Sequence, residues 1–249
     1  MVALVRFAWL AAAFLSLPVL AADLTVSAAA SLGNAFTEIG RGFETANPKT
    51  KVRFNFAASG ALLQQIGAGA PVDVFASADQ ETMDEAGRRR LVDAGSRRNV
   101  ASNSLVVIVP RDAVSIPASL ADLATASIER VAIGAPASVP AGRYSRTALV
   151  KAGLWPVIEA KMVGAQSVRQ VLDYVARGEV DAGFVYATDA AVMAGKVKVA
   201  FKVATALPVR YPIARIAETN NAAAAEEFIA YAGSPAAQAM FAKYGFGKP

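Results

Sequence analysis

"SGALLQQIGAGAPVDVFASAD", residues Ser59–Asp79, runs from a serine through an apolar-periodic stretch and a glycine-containing loop to Val-Asp, a phenylalanine-bearing strand and an aspartate. The same order returns in "SVRQVLDYVARGEVDAGFVYATD", Ser167–Asp189. Thirteen positions separate Ser59 from Val72, and thirteen separate Ser167 from Val180. Upstream, "LTVSAAASL" (Leu24–Leu32) aligns without gaps to "VAIGAPASV" (Val131–Val139); Ser31 lies 28 residues before Ser59, and Ser138 lies 29 before Ser167. Chance likeness between alanine-rich stretches explains one such pair, but poorly explains two in the same order and spacing. The chain reads as two similar halves, each built as strand, small loop, helix, strand, small loop, helix.

Short runs rich in Val, Ile and Phe support that reading. Strands are predicted at Leu24–Ala28, Val52–Phe56, Asp73–Ala76, Leu105–Val109, Val131–Ala135, Gly183–Tyr186, Val197–Ala200 and Tyr211–Ile216. Helical patterns fall at Leu62–Ile66, Val168–Ala176, Ala222–Ala232 and Pro235–Tyr244. Strand and helix in alternation predict an α/β fold with mostly parallel sheets. "NPK" (Asn47–Lys49) and Ser234-Pro235 are punctuation, a turn or a helix start.

In open α/β sheets, ligands bind beyond the carboxyl ends of the strands, where helix N-termini converge. The first amides of a helix have no internal partner and its dipole is positive there, so an anion is stabilised without a cationic side chain. Small neighbours such as Ala28–Ala30, Ala57-Ala58 and Gly60 let backbone approach a ligand closely. For any single serine a plain N-cap is the simpler reading. Recurrence of serine-led helix starts in both halves, facing one another across a cleft, points instead to anion binding, with Ser31 at one such start.

Composition narrows the chemistry. "MVALVRFAWLAAAFLSLPVLAAD" has one arginine near its start, an apolar stretch broken at Pro18, and Ala21-Ala22 before Asp23, the layout of a secretory signal peptide cleaved after Ala22. The remaining 227 residues suffice for two lobes with their own cores. Without Arg6 they carry 24 basic and 20 acidic residues, net +4, a balance suited to an anionic ligand. The only basic clusters, "GRRR" (Gly87–Arg90) and Arg97-Arg98, have no interleaved aromatics and read as a solvated helix end, not a nucleic-acid patch. With no histidine there is no Ser-His-Asp triad and no imidazole base. With no cysteine there is no thiol nucleophile, thiolate metal site, disulfide or lipid-bearing cysteine.

Taken in order, "AAASL" (Ala28–Leu32), "FAASGAL" (Phe56–Leu62), "GAPVDVFASADQ" (Gly69–Gln80), "NSLVVIVP" (Asn103–Pro110), "VPAGRY" (Val139–Tyr144), "SVRQVL" (Ser167–Leu172), "FVYATD" (Phe184–Asp189) and "KYGF" (Lys243–Phe246) resemble the periplasmic molybdate-binding proteins of ABC uptake systems. The resemblance covers essentially the whole chain after the leader. It implies a type II periplasmic-binding-protein fold with a tetrahedral oxyanion held between two lobes by serines, backbone amides and one tyrosine hydroxyl. Carried over by motif, the anion-binding residues are Ser31, Ser59, Ala141, Val168 and Tyr186, with no catalytic residue, no cofactor and no directly bound metal. Pro140 lacks an N–H, so Ala141 carries the first available amide of its segment. Val168 fits an amide donor whose side chain only packs. Arg143, Arg146 and Arg169 are left outside the ligand's contacts, because a desolvated dianion against a buried arginine is costly to assemble; they either steer the ligand in or are solvated. Two departures stand out: Gly33 replaces a more usual polar residue, which predicts a looser helix start, and Ser138 replaces a larger residue at the pocket rim.

The resemblance further implies capture of molybdate, and of tungstate, in the periplasm by a free monomer that delivers its ligand to an ABC permease. Expected boundaries are a signal peptide at 1–22, lobe I at 23–103 and 208–249, and lobe II at 104–207. A ligand-sensing domain of a regulator is disfavoured by the signal peptide and the lack of a DNA-binding segment, and two further rivals are weighed. One is a receptor for sulfate, thiosulfate or phosphonate. The other is a carboxylate-based enzyme using Asp73, Asp79, Asp181 and Asp189, four residues at matching places in the repeat, whereas a catalytic pair would be expected to break that symmetry.

Overall fold

The structure, a computed structural model, describes residues 22–249. The leader read at 1–22 therefore falls, but for Ala22, outside the described residues. The chain begins with β1 (Ala22–Ala29), α1 (Gly33–Ala46), β2 (Thr50–Ala57), α2 (Ser59–Gly67), β3 (Val74–Ala76), α3 (Gln80–Arg88) and β4 (Arg98–Asn103). It crosses over at Ser104 into β5 (Leu105–Pro110), followed by β6 (Val131–Gly134), α4 (Pro140–Lys151), α5 (Trp155–Glu159), β7 (Met162–Ala165), α6 (Val168–Ala176), β8 (Ala182–Tyr186), α7 (Ala187–Val192) and β9 (Val197–Lys202). It then returns through β10 (Val209–Arg215) to α8 (Ala222–Ala232) and α9 (Pro235–Lys243).

Two five-stranded sheets result, ordered β2-β1-β3-β10-β4 and β7-β6-β8-β5-β9, one at the heart of each lobe. In the first, β1 runs parallel to β2 and β3, while β10 runs antiparallel to β3 and β4. In the second, β6 runs parallel to β7 and β8, while β5 runs antiparallel to β8 and β9. Each sheet thus has one reversed strand, and that strand borders a crossover. The α2–β3 and α6–β8 pairs of the repeat occupy equivalent places in the two sheets.

Local reasons for the elements are visible in their burial. Along α1, Ala35, Phe36, Ile39, Gly40 and Phe43 are buried, an apolar stripe of helical period. Phe228 of α8 meets Phe43 edge-on at 5.3 Å and Phe36 at 6.0 Å, which seats the C-terminal helices on the first sheet. β8, and β1 from Val26 to Ala29, are buried along both faces, as central strands under helices are. Ser234 caps α9 by accepting the amide of Ala237, with Pro235 in the first turn, so the Ser-Pro step is a helix start. Gly33 has ordinary helical angles at the start of α1.

Two strands escaped the sequence reading, β4 and β7. Their sequences, "RNVASN" and "MVGA", are polar or short, and sheet pairing holds them where local preference does not.

Candidate functional site

Ser31, Ser59, Ala141, Val168 and Tyr186, the five residues read from sequence, line one closed cavity between the lobes, together with Ala29, Ala30, Ala57, Ala58, Ala78, Val139 and Pro140. The space left in it is about 10 Å³, about that of a single water. The walls therefore lie almost against one another, and any ligand held there is far smaller than the drug-sized molecules that fill roughly 300–1,000 Å³. No ionisable side chain except the Tyr186 phenol borders it. All five residues are at most 4 % exposed, so a ligand there is sealed from water.

Helix starts converge on this cavity. Ser31 sits in a short 3-10 turn, Ala30–Leu32, that leads into α1. Ser59 and Val168 are the first residues of α2 and α6, and Ala141 follows Pro140 at the start of α4. Amides in a first turn have no carbonyl of their own helix to bind, and these four lie along the cavity wall. α4 packs so tightly on the end of β6 that a Cβ on Gly142 would fall 1.8 Å from the Gly134 carbonyl oxygen. Only glycine permits that approach.

The plain-cap reading divides the serines. Ser167 is a cap: its Oγ accepts the Gln170 amide at 3.2 Å. Ser31 and Ser59 make no capping bond. Ser59 Oγ instead accepts the amide of Ala78 at 3.0 Å, and Ser31 Oγ lies 3.1 Å from Tyr211 Oη. Ser138, aligned with Ser31 in the repeat, is not at a helix start, because Val139 is the N-cap of α4. The repeat is therefore unequal at the cavity: both serine hydroxyls come from the first half and the phenol from the second, while both halves bring helix starts. Gly60 does not line the cavity either. Its amide donates to the Ser138 carbonyl at 2.9 Å, so its small size serves the meeting of the lobes.

Tyr186, at the end of β8, points its hydroxyl across the cleft toward the Ala78 carbonyl at 3.4 Å, a long contact. Burial, with Tyr211, Tyr144 and the charges of Asp79 and Asp189 nearby, pushes its phenol well above the ordinary tyrosine value, so it stays protonated.

Arg143 and Arg169 neither border the cavity nor lie freely in solvent; both reach across between the lobes. Arg143 donates from Nε (2.9 Å) and Nη2 (2.7 Å) to Asp79 Oδ2. Arg169 pairs with Asp189 at 2.6 Å and reaches across to Asn34 Oδ1 at 2.9 Å and the Ser31 carbonyl at 3.4 Å. Burial pulls the Asp189 carboxyl upward, against the opposing pull of the Arg169 charge and the Tyr186 amide. Arg146 lies over the Trp155 ring at 5.5 Å.

The four repeat aspartates serve structure. Asp73 accepts the Thr25 amide and the side chains of Thr219 and Asn221; Asp79 caps α3; Asp181 accepts the amides of Glu129 and Arg130; Asp189 accepts the Tyr186 amide. None of them borders the cavity. A second, wider groove around Asp73 has Asp23, Asp73 and Glu218 on its walls against one cationic residue, Arg90, and this excess of negative charge disfavours an anion there. Among the described residues no cluster of metal-ligating side chains occurs, and no helix is long and apolar enough to cross a membrane. Arg88, Arg89 and Arg90 are exposed at the end of α3, as read.

Comparison with known proteins agrees with this architecture. The molybdate-binding protein ModA of Escherichia coli is 38% identical over 228 residues, covering 90% of this chain and 88% of its own. A Bacillus subtilis protein, YvgL, named as an ABC transporter substrate-binding lipoprotein, is 39% identical over 230 residues, covering 90% of this chain and 85% of its own. The solved periplasmic molybdate-binding protein of Azotobacter vinelandii superposes with a TM-score of 0.79 at 25% identity, over 91% of this chain and 99% of its own. Residues 24–247 match the family described as bacterial extracellular solute-binding protein, and it is to this family that the chain belongs.

Proposed function

We propose that this chain captures molybdate, and tungstate with it, and delivers the anion to the membrane permease of an ABC uptake system. The observation that carries this reading is the sealed cavity between four helix starts, bordered by Ser31, Ser59, Ala141, Val168 and Tyr186 without a cationic side chain. The hydroxyls of Ser31, Ser59 and Tyr186 and the amides of Ser31, Ser59, Ala141 and Val168 are the proposed donors. Charge-assisted hydrogen bonds contribute roughly 1.5–3 kcal/mol each. Less the cost of desolvating a dianion and closing the lobes, the sum supports a Kd between about 1 μM and 1 nM.

Selectivity follows from geometry. A smaller sulfate leaves donors too distant, and a protonated phosphate sets a donor against donors. The alternative oxyanions, sulfate, thiosulfate and phosphonate, meet the same shell less well. Catalysis has no foothold at the cavity, because the carboxylates are engaged elsewhere; the chain is read as a binding protein and not an enzyme, with no cofactor. The wider family supports action outside the cytoplasm. Although one relative is named a lipoprotein, this chain has no cysteine to carry a lipid, and we read it as a free periplasmic monomer. Lobe I is assigned to 23–103 with 208–249, and lobe II to 104–207, with the two crossovers as the hinge.

Titration calorimetry of ligand-stripped protein with molybdate, tungstate, sulfate and phosphate tests the reading. One-to-one binding of the first two, with the others silent, is the expected result. Heat with sulfate or phosphate alone moves the assignment to another oxyanion, and heat with none removes it.

A further inference from the structure

Asn103 closes β4 at the first crossover, and Tyr211 lies beside it on β10. The Asn103 amide has one possible orientation. Its Oδ1 accepts the Ser104 amide at 2.8 Å, so Nδ2 faces Tyr211 Oη at 3.1 Å and Thr188 Oγ1 at 2.9 Å. Nδ2 only donates. With that proton arriving on the phenol oxygen, the single proton of Tyr211 has Ser31 Oγ as its partner, at 3.1 Å. Ser31 Oγ is then the acceptor in that bond, and its own proton is turned elsewhere. Ser31 borders the cavity and, among the described residues, has no other side-chain hydrogen bond.

We infer that Asn103 and Tyr211 are positioning residues of the anion site, a one-way hydrogen-bond relay that leaves the Ser31 hydroxyl free only to donate into the cavity. The inference rests on the proposed oxyanion reading and deepens it. Ser59 reaches the same state by a local route, since its oxygen is occupied by the Ala78 amide. Ser31 has no such backbone partner and takes its direction from residues 180 and 72 positions away in sequence. The relay itself is rigid. Tyr211 is wholly buried, with its ring edge-on to Phe246 at 5.4 Å and to Tyr186 at 5.9 Å. Burial and the nearby Asp189 charge also push its phenol far above the ordinary value, so it remains a donor. A hydroxyl locked as donor favours a ligand whose oxygens are all unprotonated, and it opposes a ligand that carries a proton. Selection against protonated oxyanions thus begins at the crossover strand, one layer behind the ligand.

The test is a double-mutant cycle of Tyr211→Phe and Ser31→Ala, read by calorimetry with molybdate, with thermal melts to verify folding. Tyr211→Phe is expected to weaken molybdate about tenfold in the wild-type background. In the Ser31→Ala background it is expected to change Kd by less than about twofold, because the hydroxyl it positions is gone. Equal losses in both backgrounds, or wild-type affinity in Tyr211→Phe, overturn the relay while leaving the molybdate assignment standing. No binding by the wild-type protein overturns the assignment and the relay together. Asn103→Ala run through the same cycle gives the same readout should the ring variant fail to fold.

Discussion

Gly60 and Ser138 meet backbone to backbone across the cleft: the Gly60 amide donates to the Ser138 carbonyl at 2.9 Å, and a Cβ on Gly60 would lie 2.7 Å from that oxygen. Glycine is therefore required by the closed arrangement and not by its own helix. Gly60→Ala is expected to weaken molybdate at least about tenfold while leaving the ligand-free protein as stable or up to about 1 kcal/mol more so, since alanine favours α2. Calorimetry and thermal melts on the same preparation check both halves.

Ser59→Ala and Tyr186→Phe separate two costs. The first removes a hydroxyl and also orphans the buried Ala78 amide. It should lower both affinity and folding stability, the latter by about 1–3 kcal/mol. The second keeps the ring and loses only a long contact to Ala78, so affinity should fall about tenfold with stability changed by less than about 1 kcal/mol. Denaturant titration alongside calorimetry distinguishes them.

Arg143 and Asp79 are 17% and 5% exposed in their side chains, and they join opposite lobes. In an opened form Asp79 regains water, so the penalty of an unpaired carboxylate falls on closure rather than on folding. Arg143→Ala is expected to weaken molybdate by at least about tenfold and to shift the ligand-free melting temperature little. A large loss of ligand-free stability with unchanged affinity would reverse that assignment.

Alkaline pH is expected to act on stability before it acts on binding. The phenols of Tyr186 and Tyr211 are raised above their unfolded values by burial, so both folded groups hold their protons where the unfolded chain releases them. Their contribution is complete below about pH 10 and is lost as pH rises beyond it, at about 1.4 kcal/mol per pH unit for each. Denaturant midpoints between pH 8 and 11 should fall only in the upper part of that range, and Tyr211→Phe should flatten the slope. Molybdate affinity should stay level from about pH 6 to 9, because no histidine is present and the phenol at the cavity stays protonated.

The two-lobed α/β plan was legible because its repeat is local: Ser59–Asp79 and Ser167–Asp189 each carry a helix, a turn and a strand in one uninterrupted stretch. β4 was not legible, since "RNVASN" owes its extended form to β10, a strand that lies more than a hundred residues further on. The same distinction runs through the site. Ser31, Ser59, Ala141, Val168 and Tyr186 sit in motifs, and they reach one cavity. The roles of Tyr211, Arg143 and Arg169 depend on partners 180, 64 and 20 residues away, and neither periodicity nor spacing carries such a signal. Arginines beside an anion motif invite a ligand role; only their hydrogen bonds to Asp79, Asn34 and Asp189 reveal them as ties between and within lobes.

Strand β10 lies between β3 and β4 although the chain visits the whole second sheet before making it. Until residue 209 has emerged from the ribosome, β4 has no neighbour in its sheet, and the aromatic cluster around Phe36 and Phe43 lacks Phe228 and Phe241. The second sheet needs nothing beyond Lys202. Nascent chain therefore carries a half able to condense early beside one held open by its missing last third, and contacts of such long sequence separation form slowly. This order of assembly is written into the topology.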